Sequence, residues 1–141
     1  MFNRIKIGEG SEIEAFLQGR KRGLLISDEL FNSNQELWNF YYHKGRYSSG
    51  RSYVGVFHRI QDKEFFINNA KSHYDTGRIL GYPPKAYENF ENTFDKPFSE
   101  KIALNYFGIK FVCLKEDYWE CVKWLNTYAK PGTYLRRGKY A

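Results

Sequence analysis

Tyr53-Val54-Gly55-Val56-Phe57-His58-Arg59-Ile60 runs directly into residues 61–80, which end at Gly81-Tyr82-Pro83-Pro84. The first segment is rich in β-branched and aromatic residues, which suit a pleated, half-buried surface, so it reads as a strand. In 61–80 the period changes. Phe66, Ala70, His73, Gly77 and Leu80 recur at spacings of four and three, and so form one stripe of a helix. Gly81 stands where a helix ends, because glycine takes positive φ without a Cβ clash, and Pro83 blocks any continuation. A strand feeding a helix requires both kinds of layer, so the fold belongs to the α/β or α+β class.

The same reading extends in both directions. Residues 2–7 alternate with period two and read as a first strand. Ser11, with Glu14 three residues on, forms a capping box opening a helix that carries Ile13, Phe16 and Leu17. Gly19 and Gly23 bracket the basic turn Arg20-Lys21-Arg22, and Leu24-Leu25-Ile26 reads as a short buried strand. Residues 28–34 look turn-like, with Leu30 and Phe31 tucked inward. Ser33 or Asn34 then caps a short helix through Leu37, Trp38, Phe40 and Tyr41. Residues 43–52, with two glycines and three serines, read as a loop. Beyond Pro84, residues 85–94 read as a short helix with Ala86, Tyr87 and Phe90 inward. A further helix starts near Pro97, carries Ile102, Ala103, Leu104, Tyr106 and Phe107, and stops at Gly108. Residues 109–114 read as a strand with Lys110 exposed. Asp117 caps a last helix with Trp119, Val122, Trp124, Leu125 and Tyr128. The expected order is β-α-β-α-β-α-α-α-β-α: one domain over residues 1–130, about four short strands in a mixed sheet packed by helices, then a basic tail at 131–141. Parallel pairing is expected where a helix separates two strands.

The chain has 141 residues, near the common size of one domain, and needs neither disulfide nor metal to bury a core. Twelve Phe, twelve Tyr and three Trp supply much of the apolar area. The tyrosines suit a core rim or a partner surface. The 22 Lys and Arg outnumber 16 Asp and Glu, giving a net charge of +6, which favours polyanionic partners. Cys113 and Cys121 cannot make a disulfide scaffold, and nothing resembles a signal peptide or reaches the ~20 apolar residues of a membrane span. A cytoplasmic protein with reduced thiols and no membrane contact is the expectation.

At Arg78-Ile79-Leu80-Gly81-Tyr82-Pro83 the chain resembles an uncharacterised family of small prokaryotic proteins, best represented in archaea. Its members share a strand, a helix, a Gly-(Lys/Arg)-(Ile/Leu)-Leu-Gly-Tyr-Pro element and a helix bearing an aromatic. Residues 54–57, the following helix, Gly77 to Pro83 and Phe90 fall in that order here. Family members often carry cysteines just after the proline, whereas this chain has Pro84-Lys85-Ala86. The resemblance therefore implies no thiol or metal chemistry, and it implies no activity.

No nucleotide-binding loop, dinucleotide fingerprint or metal-ligand spacing is present, so no cofactor and no metal are expected. His43, His58 and His73 have no partner at ligand spacing, and His73 reads as a packed core residue. A Cys–His dyad such as Cys113–His58 across adjacent strands is geometrically possible, whereas a carboxylate pair such as Glu116 and Asp117 fits helix capping better. The candidate ligand-binding residues are Lys44, Arg46, Tyr47 and Arg51 in the loop, with Arg78 and Tyr82 at the helix end. Fixed cations interleaved with flat rings, here Tyr47 and Tyr53, match a phosphate backbone and stacked bases. The clusters Arg20-Lys21-Arg22 and Arg136-Arg137-Lys139 could extend the same surface or be solvated turn and tail. The leading expectation is a small basic non-catalytic protein binding nucleic acid or another phosphate-bearing ligand. The alternatives are a protein-interaction or inhibitor module of mobile-element or viral origin, with a protein partner or homodimer, and a small nucleotide-acting enzyme built on Arg78, Tyr82 and His73.

Overall fold

The computed structural model describes residues 3–69, 73–88 and 95–135. Six strands form two three-stranded sheets, and six α-helices pack around them among the described residues. The class is α+β, with one mixed sheet.

The first sheet is ordered β1-β5-β6: β1 (Asn3–Ile7), β5 (Lys101–Tyr106) and β6 (Ile109–Leu114). β1 lies parallel to β5, with Ile5 opposite Leu104, and β5 lies antiparallel to β6. The second sheet is ordered β2-β4-β3 and is wholly antiparallel: β2 (Gly23–Ile26), β4 (Ser52–Phe57) and β3 (Tyr41–Arg46). Since β1 pairs with a strand from the far end of the chain, the second sheet is an insertion within the first, and both belong to one folding unit.

Helix α1 (Glu12–Leu17) joins the two. Ser11 caps it as expected: the Glu14 N–H donates to Ser11 Oγ at 3.1 Å, and the Ser11 N–H donates to Glu14 Oε1 at 3.3 Å. Its neighbouring residues serve different cores. Ala15 packs with Leu104, Phe111 and Leu125, whereas Phe16 packs with Leu24, Val54 and Val56. The inner face of the first sheet is closed by α5 (Pro84–Glu88) and α6 (Tyr118–Tyr128) through Ala86, Cys121, Val122 and Leu125. The second sheet is covered on both faces. Phe31 of α2 (Asp28–Ser33) and Leu37 join Phe16 on one; α3 (Ile60–Asn69) and α4 (His73–Ile79) bring Phe66 and Ile79 to Phe57 on the other.

Several expectations change. Within the expected turn 28–34, Asp28–Ser33 form α2, because Ser27 supplies a cap to the Leu30 N–H at 3.2 Å. The expected short helix at 34–41 is a 3₁₀ turn, Gln35–Asn39, and Tyr41 already belongs to β3. The expected loop 43–52 is half strand: 43–46 belong to β3 and Ser52 opens β4, leaving 47–51 as the turn of a β3–β4 hairpin. The helix expected after Pro97 is β5. Ile102, Leu104 and Tyr106 are buried with period two, while Ala103 and Asn105 face the other way. Phe107 (φ 49°) and Gly108 (φ 100°) make the two-residue turn to β6, which the Asn105 side chain secures by accepting the Gly108 N–H at 2.8 Å. The two misread strands raise the total from about four to six. Among the described strands, parallel pairing holds only for β1 and β5; β2 and β4 run antiparallel although α2 separates them. The long helix of 61–80 is described as α3 and α4, with 70–72 outside the described residues.

Gly81 ends α4 at φ +81°, as expected. A second cause emerges: a Cβ there would lie 2.7 Å from Lys21 Cβ. The basic turn is not a solvated one. Arg20 lies 4.2 Å over the Phe107 ring and donates to the Ala129 carbonyl, Lys21 is fully buried, and Arg22 pairs with Asp62 at 3.5 Å. Residues 131–135 dock on the end of α1, where the Gly132 and Tyr134 N–H groups donate to the Gln18 and Gly19 carbonyls. Arg136, Arg137, Lys139 and Phe90 lie outside the described residues, as does the side chain of His73.

Candidate nucleic-acid interface

The β3–β4 hairpin turns through residues 47–51. The Tyr47 N–H donates to the Arg51 carbonyl at 2.8 Å, and Gly50, at φ +90°, donates back to Tyr47 at 2.9 Å. No atom approaches the missing Gly50 side chain, so backbone conformation alone requires glycine there. Arg46 Nη1 donates to the Gly50 carbonyl at 2.9 Å and braces the turn.

Strand alternation then divides the expected loop residues between two faces. Gly45 is opposite Tyr53, and the Tyr53 ring lies across it, occupying the room a side chain would need. Tyr47 stacks on Tyr53 at 4.8 Å, and Tyr53 meets Phe66 edge-on at 5.9 Å. Burial and the neighbouring Tyr47 push the Tyr53 phenol above its ordinary value. Tyr53 therefore extends the core beneath α3, while Tyr47, resting on it, remains 46% exposed at the hairpin end.

Lys44 and Arg46 point the other way, opposite Val54 and Ser52, and share their face with Tyr42. This face is built on Phe31. The Tyr42 ring lies 4.9 Å from the Phe31 ring, Lys44 Nζ lies 5.8 Å from it, and Trp38 Nε1 donates to the Phe31 carbonyl at 2.8 Å. Trp38 and Tyr42 remain 47% and 42% exposed, and Lys44, Arg46 and Arg51 are exposed. Lys44, Arg46 and Arg51 form no ion pair among the described residues. The result is a strip of two solvent-facing rings held by fixed contacts, leading into cations along an edge strand. Sequence reading found the cations but missed Trp38 and Tyr42, which it had assigned to a helix or left unassigned. The legible signal was Tyr42, Lys44 and Arg46 at period two.

The helix-end pair is separated. Arg78 is exposed on α4, with its guanidinium 5.4 Å from the Phe65 ring. Tyr82 packs on Phe111 at 5.8 Å in the first sheet's core. Burial, and secondarily Glu12, push its phenol far above the ordinary range. Neither joins the strip on Phe31.

The catalytic dyad does not form. Cys113 lies in the first sheet's core, whereas His58 stacks on Phe16 at 4.0 Å and its Nε2 donates to the Phe16 carbonyl at 2.6 Å. No group of three metal-ligating side chains occurs among the described residues, and none of their helices is long and apolar enough to cross a membrane. No family model, curated protein or solved structure matches the chain.

Proposed function

We propose that this protein binds single-stranded nucleic acid without base-specific readout, through the β3 face. The observation that carries the reading is the exposed row Tyr42, Lys44 and Arg46 on one face of β3, with the exposed Trp38 tied to the same Phe31 that Tyr42 packs on. Base stacking is sequence-tolerant because every base has a flat face, and cations tracking the backbone supply the remainder. The net charge of +6 acts in the same direction at longer range.

Anisotropy of labelled single- and double-stranded oligonucleotides at about 50 and 200 mM salt tests this. With Lys44, Arg46 and Arg51 each on a phosphate, log K falls with log salt at a slope near −2, so the single strand binds about 20-fold more weakly at the higher salt. Trp38→Ala and Tyr42→Ala should each cost about 1–3 kcal/mol of binding, the value of one stacked base. Tight binding that survives both ring substitutions and Lys44→Ala/Arg46→Ala would remove the strip as the site. Failure of any oligonucleotide to bind at low salt would turn Trp38 and Tyr42 into candidate anchors for a protein partner.

A further inference from the structure

The uncovered face of the first sheet is a second cationic surface, on the opposite side of the strands from their core. Its side chains follow from register. Arg4, Ala103 and Val112 make one row across the three strands, and Lys6, Asn105 and Lys110 make the next. In these rows the central strand carries the short Ala103 and Asn105 while Arg4, Lys6 and Lys110 flank it, so the face is a trough rather than a flat sheet. Its volume is about 590 Å³, within the range of small-molecule sites. Adjacent strands lie about 4.8 Å apart, and alternate residues along a strand about 6.7 Å apart. Arg4, Lys6 and Lys110 therefore stand at the corners of a triangle roughly 7 by 10 Å at the backbone, with stems long enough to converge on one ligand. Their only carboxylate partner among the described residues is the exposed Glu9, 3.3 Å from Lys6. Asn105 Oδ1 is engaged by the Gly108 N–H, which leaves the Asn105 amide NH₂ as a donor. Among the described residues no exposed ring lines the trough, so it offers cations and one amide without a stacking surface.

We infer that this trough binds a short chain of phosphates, such as an inorganic oligophosphate or the triphosphate of a nucleotide, through Arg4, Lys6 and Lys110. A single phosphate can engage one or two of these cations, whereas a chain of three can engage all of them. The site is independent of the β3 face and shares no residue with it.

Calorimetric titration of the full chain with inorganic tripolyphosphate, orthophosphate and ATP at about 50 mM salt tests the inference. Tripolyphosphate should bind at least tenfold more tightly than orthophosphate. Lys6→Ala/Lys110→Ala should weaken it at least tenfold, and Lys110→Arg should retain it. Ala103→Glu, which keeps every cation but adds a carboxylate to the floor, should also abolish binding while circular dichroism stays unchanged. ATP binding as tightly as tripolyphosphate would assign recognition to the phosphates alone; tighter ATP binding, lost with Ala103→Glu, would add the nucleoside to the same trough. Lys44→Ala/Arg46→Ala should leave tripolyphosphate binding intact. The inference is overturned if orthophosphate binds equally well, if the trough variants bind normally, or if tripolyphosphate does not bind.

Discussion

Lys21 gives the sharpest stability prediction. Its side chain is fully buried, and its Nζ has no hydrogen-bond partner among the described residues. Burial lowers its pKa from 10.5 to about 8, against a smaller opposing attraction from Glu12. The unfolded chain holds this proton more tightly than the folded one, so below pH 8 folding must bury an ammonium at a net cost. The difference of about 2.5 units corresponds to roughly 3 kcal/mol. Because the unfolded state binds more protons between pH 8 and 10.5, stability from this group rises with pH across that window and is flat below it. Lys21→Met keeps most of the stem and removes the charge. It should stabilise the protein by about 3 kcal/mol at pH 7, or about 10 °C in Tm for a chain of this size. Urea unfolding of both proteins at several pH values from 6.5 to 10 is the assay, and the quantity read is the difference between them, so other titrating groups cancel. The advantage of Lys21→Met should be constant up to about pH 8 and shrink towards pH 10. A variant less stable than wild type at pH 7, or an advantage independent of pH, would refute the reasoning.

Two further substitutions probe the framework around this lysine. Gly81→Ala forces a side chain into a positive φ and to 2.7 Å from Lys21 Cβ, so it should destabilise by at least about 2 kcal/mol in the same assay, more than backbone strain alone requires. Ser11→Ala removes the cap of α1 and should cost about 1 kcal/mol, with no change in oligonucleotide or tripolyphosphate binding.

What the sequence carried is what depends on near neighbours. The capping box at Ser11, the glycine stop at Gly81, the strand read at 53–60 and found at Ser52–Phe57, and the α6 pattern are local features, and each is legible because a helix cap or a side-chain period spans only a few residues. β3 and β5 were not legible in that way. Tyr41–Arg46 has a glycine and two cations, and becomes a strand only because β4 offers it hydrogen-bond partners; Lys101–Tyr106 carries apolar residues that suit either period, and β1 and β6 choose for it. Both candidate surfaces depend on those strands. The cations Lys44 and Arg46 were visible in the sequence, but their separation from Tyr47 and their alliance with Tyr42 and Trp38 follow from pleat and from packing on Phe31. The trough joins Arg4 and Lys6 to Lys110 across about a hundred residues of chain. A sequence lists charges and rings, but which of them face the same solvent is set by strand pairing, and pairing between distant segments is decided by the whole buried core.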